Sequence, residues 1–182
     1  MRQHKQIIGK ADAFITSELW ILSWNASVQR ARLFDDQATE QSRRAFRKRV
    51  IRYLETTVLP RYGNTVSDAE HCGVISRVVE ECSKSDESHV LGPDGYRIGI
   101  AQKLVNLQLK YLWCLGSIPE PPHCPVDRLI LEKTRLRGTI AWTQICSIEV
   151  YKQAISALRE CADAAKMSLA NWELNTYDRN DA

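Results

Sequence analysis

The sequence lacks any long run of apolar residues. No stretch approaches the roughly 18 consecutive apolar residues that a membrane-spanning helix requires, and the polar start from Met1 to Lys5 is not followed by the hydrophobic run of a secretory signal peptide. These two absences argue against a membrane or exported protein. We therefore expect a cytoplasmic protein with no membrane partner.

The sequence also lacks the patterns that strands, internal repeats and metal sites produce. It has no C-x₂-C pair, and the adjacent dipeptides His71-Cys72 and His123-Cys124 are poorly placed to direct both side chains at one tetrahedral ion. We expect no metal and no cofactor. The six cysteines lie far apart along the chain, which favours free buried thiols over disulfides.

Length and composition predict one folded domain. The 182 residues are 44% hydrophobic and 26% charged, which is ordinary for a globular protein, and we expect a single domain over residues 1–182 and a monomer. The net charge of +3 is mild, but six cations lie within ten residues: Arg43, Arg44, Arg47, Lys48, Arg49 and Arg52. This cluster predicts one basic face of the protein, which either binds phosphates or is only solvated. Acidic stretches elsewhere offset it, at Glu80, Glu81, Asp86 and Glu87.

Apolar residues recur at helical spacing through most of the chain. The first helix is predicted over about 10–33, with a stripe of Ile15, Leu19, Leu22 and Ala26 at helical spacing and an adjoining stripe of Trp20 and Trp24. A second carries the basic cluster and ends at Pro60 and Gly63. A third begins at Ser67 and ends near residue 84, and a polar loop follows over 85–99.

The helix predicted over 102–115 is apolar almost all round, which is typical of a central, buried helix. Lys103, Asn106 and Lys110 share one narrow face of it. A proline-rich connector leads to a helix whose first turn is expected to hold Pro125 and Asp127, and further helices begin at residues 147 and 168. The fold class is therefore all-α, a compact helical bundle whose central segment spans residues 97–137.

Two short motifs flank the proline connector. Gly99-Ile100-Ala101-Gln102-Lys103 leads into the central helix, and Pro125-Val126-Asp127-Arg128 follows the connector. Together they resemble the helix–hairpin–helix superfamily of DNA glycosylases, in which a G-x-G/A-x-K turn ends with a catalytic lysine and an aspartate opens the next helix. The segment 97–131 is most similar to archaeal 8-oxoguanine DNA glycosylases. Bacterial glycosylases that remove glucosylated hydroxymethylcytosine from phage DNA are a second resemblance.

The resemblance implies that Lys103 is the nucleophile and Asp127 its acidic partner. An amine attacks the anomeric carbon of a sugar only when it is unprotonated, and burial together with a helix N-terminus is expected to lower the pKa of the lysine. A carboxylate stabilises the oxocarbenium character of the sugar in the transition state. Lys110 is the alternative nucleophile.

A glycosylase of this kind also needs a base pocket and a DNA-binding surface. The expected partner is double-stranded DNA that carries a modified base. The candidate pocket residues are aromatic or hydrogen-bonding: Trp20, Trp24, Gln102, Asn106, Trp113, His123 and Trp172. The candidate DNA contacts are cations and the hairpin backbone: Arg43, Arg44, Arg47, Lys48, Arg97, Gly99, Ala101 and Arg128.

Two other classes of protein fit the same sequence. One is a non-enzymatic helical module in which the basic helix binds nucleic acid or an acidic protein, while Lys103 is only structural. The other is a helical scaffold subunit with no role in nucleic-acid binding. The arrangement of Lys103 and Asp127 in the fold separates the enzyme hypothesis from these alternatives most directly.

Overall fold

The computed structural model describes residues 2–84 and 89–177, with side chains from residue 9 onward. The described residues form an all-α fold, as predicted, in which the only β pairing is an isolated bridge between Phe34 and Leu91. None of the described helices is long and apolar enough to cross a membrane. The α-helices are α1 (Arg2–Val28), α2 (Glu40–Tyr53), α3 (Asp68–Ser83), α4 (Ile98–Cys114), α5 (Arg128–Leu131), α6 (Ile148–Ala164) and α7 (Leu169–Thr176).

Several predicted helix ends are confirmed. The side chain of Ser67 accepts a hydrogen bond from the backbone of Glu70 at the start of α3, and the Glu70 carboxylate bonds back to the Ser67 backbone, which completes a capping box. Ser147 caps α6 through the Val150 N–H. Helix α2 continues as a π-helical turn and then as a 3₁₀ turn that contains Pro60 and ends at Gly63.

Helix α4 lies at the centre of the fold, as the sequence predicts. Eleven of its 17 residues are buried. It packs most extensively on α1, where the Gln108 side chain donates hydrogen bonds to the Leu19 carbonyl at 3.1 Å and to the Ser23 hydroxyl at 2.6 Å. The predicted helix begins too late, because residues 98–101 are already helical.

Of the two adjoining stripes predicted on α1, the tryptophan stripe is buried and the aliphatic stripe is mostly exposed. Ile15 and Leu22 are 45% and 43% exposed, whereas Trp20, Trp24 and Ser23 are buried. The small Ser23 faces α4 and meets the Gln108 amide, while the Trp24 ring packs 6.4 Å from the Phe46 ring of α2. Packing against two neighbouring helices therefore sets the buried face of α1, and the stripe of aliphatic residues does not.

The predicted loop and the acidic stretch lie partly outside the described residues. Asp86 and Glu87 fall in the segment 85–88, outside the described residues. Within the described part, α4 begins at Ile98 and takes up the last two residues of the predicted loop.

Gly99 allows α4 to approach the segment 142–145 closely. Its N–H donates to the Ile145 carbonyl at 2.9 Å, and a Cβ atom at position 99 would lie 1.9 Å from the Trp142 carbonyl oxygen. Gly99 and Ala101 are both buried within α4. The expected hairpin turn at these residues is therefore wrong, because the motif forms helix that is packed inside the protein and cannot reach DNA phosphates.

We predict that Gly99→Ala lowers the free energy of unfolding by about 3 kcal/mol, because the new methyl group overlaps a backbone carbonyl that must move. Gly9→Ala is the matched control: it lies in α1 with nothing within 4 Å of the added atom, and it should be neutral or stabilise the helix by up to about 1 kcal/mol. Urea denaturation of both variants measures the difference. Equal stability of the two would contradict the close packing of α4.

Candidate active site

The structure brings Lys103 and Asp127 together. Lys103 lies in the second turn of α4, and Asp127 is the N-cap residue of α5. The Lys103 Nζ atom is 3.3 Å from the Asp127 Oδ2 atom, and each residue is only 8% exposed. The proline-rich connector thus returns the chain to the helix it left, and the two groups form a buried ion pair.

The surroundings of Lys103 lower the pKa of its amine. Burial lowers the pKa of Lys103, and the positive charge of Arg30 lowers it further, while Asp127 offsets part of the effect. The Trp142 ring centre lies 4.2 Å from Nζ, which favours the ammonium form. The sequence analysis expected a contribution from the helix N-terminus, but that effect fades beyond the first turn, and burial is the main cause here.

The two carboxylate oxygens of Asp127 have different partners. Its Oδ1 atom accepts a hydrogen bond from the Ile130 N–H at 3.2 Å and so caps α5, while Oδ2 faces Lys103. Pro125 was expected in the first turn of this helix, but α5 begins only at Arg128. The capping bond fixes the rotamer of Asp127 and therefore the position of its second oxygen.

Gln102 holds the backbone immediately before Asp127. Its amide nitrogen donates to the Val126 carbonyl at 2.8 Å and to the Gly99 carbonyl at 3.0 Å, and its amide oxygen accepts from the Val126 N–H at 3.0 Å. Asn106 holds the connector one step earlier, through a 3.0 Å bond to the Cys124 carbonyl. Both side chains are fully buried. They fix the connector on α4 rather than line a base pocket.

The ion pair borders two small cavities that share Ala26, Lys103, Asp127 and Tyr177. The first has a volume of about 140 Å³, and its other lining residues are Gln29, Arg30, Arg128, Leu129 and Trp142. The second has a volume of about 230 Å³, and its other lining residues are Leu22, Leu107, Lys110, Tyr111, Pro125 and Glu173. Both cavities are therefore lined by the Lys103 amine, the Asp127 carboxylate and the Tyr177 side chain.

Lys110, the alternative nucleophile, belongs to a second buried ion pair. Its Nζ atom lies 2.7 Å from the Glu173 Oε2 atom and 5.1 Å from the centre of the Tyr177 ring. Burial raises the pKa of Glu173, and the charge of Lys110 offsets part of this. Lys103 is the lysine paired with Asp127, so the geometry favours it as the nucleophile.

The structure corrects the predicted base pocket, because none of its seven residues lines either cavity. Trp20 donates from Nε1 to Glu55 at 2.7 Å, and Trp24 and Trp172 pack in the hydrophobic core. Trp113 is half-buried near the end of α4. The tryptophans therefore fill the core, where large rings gain most from burial.

His123 lies in a separate buried group of rings. Its Nδ1 atom is 2.8 Å from the Tyr151 hydroxyl, and its ring centre is 4.6 Å from that of His71. Burial lowers the pKa of His71 to about 4 and that of His123 to about 2. Both imidazoles are therefore neutral at physiological pH. Asn106 donates to the same Tyr151 hydroxyl at 3.0 Å, which links this group to the connector.

The predicted DNA contacts divide into buried and accessible residues. Arg97 is 3% exposed and forms an ion pair with Asp94 at 2.6 Å, so it is a structural residue and the prediction is wrong there, as it is for Gly99 and Ala101. Arg128 borders the first cavity with its side chain half-exposed. Arg44 and Lys48 are exposed on α2, and Arg43 and Arg47 are half-buried there.

Sequence analysis missed four residues that complete the site. These residues, Arg30, Trp142, Glu173 and Tyr177, come from three separate parts of the chain and converge only in the fold. A spacing argument finds residues that share one helix, such as Lys103 and Lys110. It has no access to side chains that approach the helix from elsewhere.

The described residues contain no cluster of three or more histidine, cysteine or acidic side chains that could hold a metal ion. All six cysteines are free thiols, and three of them are buried. The reactive groups that line the two cavities are the amines of Lys103 and Lys110 and the carboxylates of Asp127 and Glu173.

We predict that Gln102→Leu lowers the free energy of unfolding by about 2–4 kcal/mol, because it leaves the N–H and carbonyl of Val126 buried without partners. Gln153→Leu, the same change at an exposed position of α6, should cost under about 0.5 kcal/mol. Denaturant titration of both variants tests this. If Gln102→Leu were as stable as the control, the amide would not hold the connector in place.

Comparison with protein-family models, with curated proteins and with solved structures gives no match for this chain.

Proposed function

We propose that this protein is a DNA N-glycosylase that flips a modified base out of the duplex and cleaves its glycosidic bond. The observation that carries the proposal is the buried pair of Lys103 and Asp127, 3.3 Å apart, at the edge of two cavities. A buried amine with a lowered pKa beside a carboxylate is the pair of groups that such a reaction needs. The order of a lysine, a proline-rich connector and an aspartate in the segment 97–131 still resembles that of glycosylases, although the motif expected as a hairpin is helical here.

The proposed reaction begins when Asp127 takes a proton from the Lys103 ammonium. The freed nitrogen lone pair attacks C1′ of the sugar, the glycosidic bond breaks, and its electron pair leaves with the base. The proton that the attacking nitrogen loses passes through Asp127 to the departing base. Opening of the sugar ring then gives an imine between Lys103 and C1′ and a hydroxyl group on C4′, which takes the second amine proton.

The second cavity suits the flipped base. Tyr177 and Tyr111 offer aromatic surfaces to a planar ring, and the ion pair of Lys110 and Glu173 offers a hydrogen-bond donor and an acceptor to its edge. Lys103 and Asp127 line the same cavity, so a base bound there would hold its sugar against the amine. The modified base is oxidised guanine in a repair enzyme, or glucosylated hydroxymethylcytosine in an enzyme that defends against phage.

We predict that borohydride traps a covalent adduct between the protein and DNA that carries the modified base, because hydride reduces the imine to a stable amine. Duplexes with 8-oxoguanine and with glucosylated hydroxymethylcytosine separate the repair and defence roles. Lys103→Ala should abolish trapping, whereas Lys152→Ala, the same change at an exposed position of α6, should still form the adduct. An adduct that survives Lys103→Ala would show that another group attacks the sugar.

The alternative function is a non-enzymatic module that binds nucleic acid. It is favoured by the capping bond of Asp127 to α5, which gives the carboxylate a structural role without catalysis. Asp127→Asn keeps an oxygen that can cap the helix but removes the base that accepts the proton of Lys103. Under the glycosylase proposal, this variant retains DNA binding and loses base release by roughly 100-fold or more. Unchanged activity in the variant would favour the module.

We predict that single-turnover base release increases with pH and levels off with a midpoint below 10.5, the ordinary pKa of lysine. The sign follows from burial, which lowers the pKa of Lys103 and so raises the fraction of reactive neutral amine at a given pH. Measuring base release between pH 6 and 10.5 on a substrate duplex tests this. A rate that still climbs steeply at pH 10.5 would show that the amine titrates like an exposed lysine.

A further inference from the structure

The mouth of the first cavity is positively charged. Arg30, Lys103 and Arg128 line it against the single carboxylate of Asp127, which already faces Lys103. Arg30 is exposed and makes no hydrogen bond or ion pair within the described part of the chain. Arg128 has its side chain 52% exposed and pairs only with Glu132 of its own helical segment, an exposed contact that contributes little. These two guanidinium groups are therefore available to an external anion.

Three of the six cations of α2 contact neighbouring segments, whereas Arg44, Lys48 and Arg52 are exposed. Arg43 donates to the Asp35 carbonyl at 3.1 Å, Arg44 pairs with Glu40 at 2.8 Å, and the guanidinium of Arg47 lies over the Trp24 ring. Arg49 donates to the carbonyls of Glu81 and Cys82 near the end of α3, where a positive charge also favours the helix dipole. The contacts of Arg43, Arg47 and Arg49 thus hold α2 against its neighbours.

Acidic residues further restrict where a polyanion can pass. The cavity next to the mouth, which shares Gln29 with it, has a volume of about 640 Å³ and is lined by Arg32 and Arg43 but also by Asp35, Asp36 and Asp94. Asp94 is paired with Arg97, while Asp35 and Asp36 remain to repel phosphates. The cavity mouth has no such excess of carboxylates.

A flipped nucleotide stays covalently joined to the phosphates on both of its sides. When its sugar reaches Lys103, those phosphates must lie at the entrance of the cavity rather than inside it. Phosphates are recognised most strongly by guanidinium groups that can bond to two oxygens at once. Arg30 follows α1 and Arg128 begins α5, so cations approach the entrance from two separate elements.

We propose that Arg30 and Arg128 bind the DNA phosphates that flank the flipped nucleotide. The inference rests on the proposed glycosylase function, because that function places the base in the second cavity and its sugar at Lys103, which also lines the first cavity. Arg30 and Arg128 set the register of the strand over the cavity. Lys103 and Asp127 perform the reaction beneath them.

The test measures DNA binding without base release. A fluorescent duplex with a central tetrahydrofuran abasic analogue is titrated by anisotropy at several salt concentrations. The double variant Arg30→Gln, Arg128→Gln should raise Kd by roughly tenfold and reduce the slope of log K against log salt by about two, because two phosphates are no longer neutralised by the protein. The matched control is Lys48→Gln, Arg52→Gln, which removes two exposed cations of α2 and should leave the slope unchanged.

The outcomes separate this inference from the proposed function. A slope that falls only in the α2 control, or wild-type protein that does not bind the duplex, would overturn the assignment of Arg30 and Arg128. Circular dichroism checks that both double variants keep wild-type helicity. If the slope falls as expected but no base is released from any modified duplex, the DNA surface stands and the glycosylase proposal fails. Base release with an unchanged slope in the Arg30, Arg128 variant would give the reverse result.

Discussion

A lysine amine buried beside a carboxylate is the constraint on which the rest of this structure depends. Removing either charge from water costs several kcal/mol unless the other lies close to it. Lys103 and Asp127 come from different elements, so the connector between them must return the Asp127 carboxylate to a position close to the Lys103 amine. Gln102 and Asn106 bond the connector backbone to α4, and the capping bond of Asp127 fixes its carboxylate. These buried hydrogen bonds therefore hold the Lys103–Asp127 ion pair in place.

Helix α4 combines two roles that are usually separate. Its apolar residues form the centre of the hydrophobic core, while Gln102, Asn106, Gln108 and Lys110 bond to four other parts of the chain, the connector, α1, α6 and α7. Because each of these partners is a buried polar group, an apolar replacement leaves the partner unsatisfied rather than merely reducing packing. The helix thus fixes the fold and aligns both ion pairs along one face, with the cavities beside them.

The positive charge of the protein is likewise divided between structure and surface. Half of the dense cluster on α2, namely Arg43, Arg47 and Arg49, contacts carbonyls and an aromatic ring of neighbouring segments. The isolated residues Arg30 and Arg128 remain open at the cavity mouth. A count of nearby cations in the sequence therefore overstates the role of α2, because it does not register which guanidinium groups already have partners.

The sequence by itself determined the all-α class, the caps at Ser67 and Ser147, the burial of α4 and the shared face of Lys103, Asn106 and Lys110. These features depend on local spacing and on hydrogen bonds between near neighbours, which the order of residues specifies. Only the tertiary structure decided which face of α1 is buried, why Gly99 must be glycine, and how Trp142, Glu173 and Tyr177 meet the two lysines. Those features depend on contacts between distant segments, and a linear pattern carries no information on how far apart two such segments lie in space.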